Sequence, residues 1–170
     1  VSEARLVYDA TANGWLSDAG TAPADVGQLL EYYGVHTHTH AGGGVEALIA
    51  ELARGHKVIA AVDSGELWGN DWCFEDWLQP QGADHALVVT GVDLSDPTSP
   101  RVFVNDPGEP GGAGRAYPLD RFLEAWADSG RYFVATDDAP PGLADHQVLG
   151  AGFDPLAGLY LDKGFWSDLA

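Results

Sequence analysis

The sequence predicts an α+β domain in which helices pack on a central, mainly antiparallel sheet. Three observations lead there. Three segments carry apolar residues at helical spacing, five β-rich runs are interspersed with them, and two of those runs flank a turn short enough to close a hairpin. At 170 residues with 45% hydrophobic content the chain can bury one good core, so a single domain is expected.

The helices come first. "TAPADVGQLLEYYG" offers Thr21 as an N-cap, Pro23 in the first turn, a stripe of Val26, Leu29, Leu30 and Tyr33, and Gly34 as a stop. "GGGVEALIAELARG" repeats the plan with Val45, Leu48, Ile49 and Leu52, closing at Gly55. "YPLDRFLEAWADSG" places Pro118 near its start, then Leu119, Phe122, Leu123 and Trp126 on one face. A fourth, less periodic helix is expected in "SEARLVYDATANG". The β-type runs are "GVHTHT", "HKVIAAVD", "HALVVTGVD", "RVFVND" and "RYFVAT". The second and third are apolar on both faces, which predicts central strands. Residues 64–83 read as one long loop holding Trp68, Trp72 and Trp77, a length that in a compact domain points to a functional segment. Residues 1–136 are expected to form the domain, and the Pro-, Gly- and Asp-rich residues 137–170 an irregular acidic tail.

Charge narrows the partners. The net charge is -18, with only two lysines, Lys57 and Lys163, and phosphate recognition needs clustered Lys and Arg. Nucleic acid and anionic membranes are therefore not expected as partners. No apolar run approaches the roughly 20 residues that span a bilayer, so no membrane insertion is expected. Methionine is absent even at position 1, which suggests a processed product or an excised piece. A single cysteine, Cys73, excludes an internal disulfide framework and leaves the compartment undecided.

One chemical constellation stands out. "DLSDPTSP" is a turn-rich segment between the run that starts at His85 and the run that ends at Asp106. The midpoint between positions 85 and 106 falls between Ser95 and Asp96, inside that turn. A hairpin closed there brings His85 and Asp106 together at its open end, outside the core. Directly opposite Cβ atoms lie about 5 Å apart, close enough for an imidazole–carboxylate hydrogen bond. Such a carboxylate fixes the tautomer on one ring nitrogen and leaves the other as a general base. The bland alternative is a His–Asp pair that closes a sheet end.

The succession of helix, strand and helix, then "KVIAAVD", "DHALVVTGVD", "VFVNDPG" and "YPLDRFLEAWADSGRYFVAT", resembles the bacteriocin-processing-type (double-glycine leader) peptidases and their soluble bacterial relatives. The resemblance covers roughly residues 20–136 and is most specific at the His-strand and Asp-Pro elements. It implies a papain-like cysteine peptidase fold and a Cys-His-Asp triad that cleaves peptide bonds, with a peptide or protein as substrate and no cofactor. His85 takes the position of the catalytic histidine and Asp106 that of the residue orienting it. In that family the nucleophilic cysteine begins a long helix near the N-terminus, preceded by an oxyanion-hole glutamine. Residues 1–56 contain no cysteine, and Gln28 falls inside a predicted helix, so neither role is carried over. The likeness implies that Val1 falls after the nucleophile helix, which is then removed, supplied by a second chain, or lost in a degenerate relative. Cys73 is the alternative nucleophile, on the loop leading into the His85 strand, although Glu75 and Asp76 disfavour a thiolate there.

A second constellation is "VHTHTH". On a strand His36, His38 and His40 share one face and offer imidazoles to zinc or copper; the alternative is a polar edge strand. "GEPGGAGR" lacks the Lys-Ser/Thr ending of a phosphate loop and reads as a flexible turn. Three functions are thus carried forward: a thiol peptidase, an inactive relative holding peptides in a retained cleft, and a metal-binding protein.

Overall fold

The computed structural model describes residues 1–69 and 82–140. Trp72, Cys73 and Trp77, and the tail beyond residue 140, lie outside the described residues.

The chain opens with α1 (Glu3–Ala12), capped by the Ser2 hydroxyl, which accepts from the Arg5 amide. A 3₁₀ turn (Pro23–Asp25) and a short α2 (Gln28–Tyr32) replace the single helix predicted over residues 21–34. The break is at Gly27, which takes a left-handed φ of 101°. A Cβ there would lie 3.0 Å from Val134 Cγ1 and 3.1 Å from Thr37 Oγ1, so the backbone is folded tightly onto neighbouring strands. Thr21 caps nothing, because helical geometry begins only after that turn. Asp9 ties α1 to the end of α2, accepting from the Tyr33 hydroxyl at 2.6 Å and from Arg5 at 2.7 Å.

There follow β1 (Thr37–His40), α3 (Val45–Ala53), β2 (Val58–Val62), α4 (Ser64–Trp68), β3 (His85–Asp93), β4 (Arg101–Asn105), β5 (Ala113–Pro118), α5 (Leu119–Ala127) and β6 (Phe133–Thr136). Six strands form one sheet in the order β1-β6-β2-β3-β4-β5, every neighbouring pair antiparallel. β2 and β3 are inner strands, as their apolar runs predict. Two predicted loops are in part regular. Residues 64–68 form α4 because Asp63 caps them, accepting from the Glu66 amide. Residues 113–118 form β5, against the flexible turn expected from their glycines, because β4 presents an open edge to pair with.

One face of the sheet carries the core. Val58, Ala60, Val62, Leu87, Val89, Val102, Val104, Phe133 and Ala135 point into it, beneath Leu48 of α3, Leu67 of α4, and Leu119, Phe122, Ala125 and Trp126 of α5. The other face is only half covered at Ile59, Ala61 and Val88, so β2 is buried in alternation. Trp126 is wholly buried yet satisfied, its indole N–H donating to the Tyr132 carbonyl at 3.0 Å. No helix among the described residues is long and apolar enough to cross a membrane.

Phe122→Ala should lower stability by about 3–5 kcal/mol through the cavity it opens under the sheet. Phe103→Ala, 36% exposed on the far face, should change it by about 1 kcal/mol or less. Urea unfolding with unchanged slope for both variants is the measurement.

Candidate active site

Three local devices converge at one end of the core. Asp84 accepts from the Ser64 amide at 2.8 Å and the Ser64 hydroxyl at 2.9 Å, and its own amide donates to the Val62 carbonyl. That knot fixes the start of β3 against the end of β2 and the start of α4. His85 consequently begins β3 opposite Val62 and on the core face, since antiparallel partners share a face. One helical turn later α4 presents Trp68, whose ring stands 5.3 Å from the His85 ring at 58°. Asp106 follows the last residue of β4, and its amide donates to the Gly112 carbonyl at 2.9 Å, curling the "NDPGEPGG" turn back over the site.

The predicted pair forms. His85 Nε2 lies 2.7 Å from Asp106 Oδ1, with the imidazole side chain 16% exposed and the carboxylate wholly buried. The register behind it differs from the simple hairpin. Val88 pairs with Asn105, which would set residue 108, not 106, opposite His85, and a bulge falls between Val89 and Gly91. Asp106 reaches His85 diagonally, from the turn. It is also in the core, 4% exposed, and not at a solvated strand end as the sequence suggested.

Burial is possible because every lone pair of the carboxylate is used. Oδ1 accepts from His85 and from the Gly108 amide at 2.9 Å; Oδ2 accepts from the Trp68 indole at 3.0 Å and the Tyr117 hydroxyl at 3.3 Å. Burial alone would favour the protonated acid, but the donors from Trp68, His85 and Gly108 outweigh it and hold Asp106 below the ordinary carboxylate range. An ionised carboxylate only accepts, so the proton of a neutral His85 sits on Nε2 and Nδ1 carries the lone pair. Gly108 leaves no room for a side chain: a Cβ would stand 2.9 Å from both His85 Cε1 and Trp68 Cζ2.

Of the residues that complete the shell, Tyr117 and Gly108 were not singled out by the sequence, whereas Trp68 was, as part of the long tryptophan-rich loop. Tyr117 lies on the unforeseen β5, Gly108 in a turn that looked ordinary, and Trp68 on the unforeseen α4. Of the other candidates, Cys73 lies outside the described residues. Gln28 is the first residue of α2, not an interior one. His36, His38 and His40 do not act as one set. Strand geometry begins only at Thr37, so His36 turns away to Glu31 (Nδ1–Oε2 3.0 Å) while His38 and His40 approach Glu51 of α3.

Known proteins bear on this geometry in three ways. Residues 6–134 match the family model described as the Peptidase_C39 like family. Uncharacterised proteins of Mycobacterium tuberculosis and Mycobacterium bovis are 36% identical over 129 residues, covering 71% of this chain and 54% of theirs. The match thus spans about half the length of these relatives. A crystal structure of a C39-like peptidase from Bacillus anthracis superposes with a TM-score of 0.52 at 18% identity, covering 69% of this chain and 59% of that one, a likeness of fold. The α+β, papain-like architecture expected from the sequence is the one observed, and the chain belongs to the Peptidase_C39-like family.

Proposed function

We propose that this chain is a cysteine-peptidase domain that hydrolyses peptide bonds with His85 as proton carrier and Asp106 as its orienting partner. The observation that carries this reading is the His85 ring itself. Its Nε2 is held at 2.7 Å by a buried, ionised carboxylate, and its Nδ1 is left as a base. In the proposed cycle Nδ1 takes the proton of a cysteine thiol and the thiolate attacks the peptide carbonyl. The same nitrogen then returns the proton to the leaving amine, and water releases the acyl group by the same exchange. Asp106 stays ionised throughout and stabilises the imidazolium. The thiol comes from Cys73, on the segment between α4 and β3, or from a segment or second chain outside these residues. A double-glycine leader peptide, the substrate type of the peptidases this chain resembles, is the first to try.

A second reading is a peptide-binding relative without turnover. It draws on a mostly apolar hollow of ≈ 660 Å³ between α1, α2 and the sheet, lined by Leu6, Trp15, Leu30, Tyr33, Ile59 and Ala86. Ile59 and Ala86 line it from the sheet face opposite the one that carries His85, so a peptide seated there would be held away from the histidine. Saturable peptide affinity without cleavage would select this reading.

The expected outcomes fall into three groups, the first of which concerns variants of the pair. His85→Ala should abolish hydrolysis, and activity surviving it rules out the assignment. Asp106→Asn should reduce kcat by roughly 10²–10⁴-fold, because the amide keeps the shape but loses the charge that stabilises imidazolium. It should also lower stability by about 1–3 kcal/mol, since the new NH₂ faces donors that lose their acceptor. The second outcome concerns acid. Asp106 is depressed in the fold, so its contribution is complete above the unfolded carboxyl value near ~3.9 and disappears as pH falls through the lower folded value. The stability gap between wild type and Asp106→Asn, followed by urea titration, should therefore narrow below pH ~4. Third, alkylation of Cys73 should persist well below the free-thiol value of about 8.5 if it pairs with His85. Labelling that rises only at alkaline pH assigns the nucleophile to a segment elsewhere.

A further inference from the structure

We propose that His38, His40 and Glu51 form a binding site for one divalent cation of the zinc class, separate from the His85–Asp106 centre. β1 stands three places from β3 in the sheet order, about 14 Å across the strands. The register places the two histidines on the core face: His38 faces Ala135 and His40 faces Phe133, both buried. Over that face runs α3, and from it Glu51, 5% exposed, points at both rings.

The distances suit a shared metal better than direct bonding. His38 Nε2 is 3.5 Å from Glu51 Oε2 and His40 Nε2 is 3.6 Å from Glu51 Oε1, too long for good hydrogen bonds. Zinc bonds of about 2.0–2.1 Å in a tetrahedron set ligand atoms roughly 3.3–3.4 Å apart. One ligand atom from each residue already lies within 4.8 Å of the other two. His40 Nε2 is buried with no hydrogen-bond partner, an arrangement that is destabilising unless something coordinates it.

The surroundings are those of a ligand set. Asp137 Oδ1 lies 2.6 Å from His38 Nδ1, so a neutral His38 donates there and turns the lone pair of Nε2 toward Glu51. Two lone pairs facing each other need a cation or a proton between them. Phe133 stacks on the His40 ring at 4.4 Å and fixes its orientation. His56 Nδ1, 2.6 Å from Oε2, and Arg54, 3.0 Å from Oε1, hold the Glu51 carboxylate in place. Imidazole and carboxylate suit zinc, and three protein ligands leave a fourth position open to water. Bound there, the ion pins the edge strand to α3.

The test uses tag-free protein, stripped with chelator, dialysed and titrated with Zn²⁺ in a calorimeter. One equivalent should bind at micromolar affinity or better and raise Tm. His38→Gln and His40→Gln should each weaken binding at least about 10-fold, as should Asp137→Asn, while His36→Ala leaves the isotherm unchanged. Ring ¹⁵N spectra of the unmodified protein provide a readout that needs no variant: the Nε2 signals of His38 and His40 should shift with one equivalent and those of His85 should not. No saturable binding overturns the proposal and leaves a proton as the shared partner of His38 and Glu51. One equivalent retained in the His38→Gln/His40→Gln double variant, or ring shifts confined to other histidines, overturns it as well.

Discussion

A carboxylate buried away from the surface governs how this domain is put together. Asp106 can stay ionised in the core only while four donors reach it, and those donors come from four separate places: the start of β3, the end of α4, the turn after β4, and β5. Removing any one leaves a buried charge short of a partner, which is more damaging than the single hydrogen bond suggests. The Asp84 knot, the bulge in β3 and the curled "NDPGEPGG" turn are intelligible as the means of delivering those donors. The imidazole is then aimed by the same constraint that keeps the sheet end closed.

The pattern recurs in an acidic chain with net charge -18. Glu51, also in the core, is opposed by burial but kept below the ordinary range by His56, His38 and Arg54. Among the described residues the buried acidic side chains are Asp9, Glu51 and Asp106, and each is met by donors: Tyr33 and Arg5 on Asp9, His56 and Arg54 on Glu51, and four groups on Asp106. Such carboxylates act as specificity devices: only one packing supplies all their partners.

How far the sequence disclosed this depends on the range of each signal. His85 and Asp106 were legible because a turn centred between them implies contact whatever the fine register. The register itself was not, because a bulge at Thr90 leaves no mark in an alternating apolar run. The break at Gly27 was hidden by a stripe that continues across it, and the reason for the break lies on strands residues away, at Thr37 and Val134. β5 was missed because glycines that read as a flexible turn stand at its start, and its strand character comes from the edge of β4. The three alternating histidines looked like one set, yet strand geometry excludes His36 and packing recruits Glu51. Local propensity and one contact across a single turn were visible; side chains brought in from other elements, such as Tyr117 and Glu51, were not.

The order of the strands bears on how the molecule is made. β1, near the start of the chain, pairs with β6, and β2 pairs with β6 as well, so Thr37 meets Thr136 and Val58 meets Ala135. Among the described residues, the last strand is the one that joins the first to the rest of the sheet. Closing loops of this length precedes any reward from the contacts they allow, which makes assembly slow. During synthesis β2 can pair with β3 on one side, but its other edge and the whole of β1 wait without their partner until residue 136 has left the ribosome.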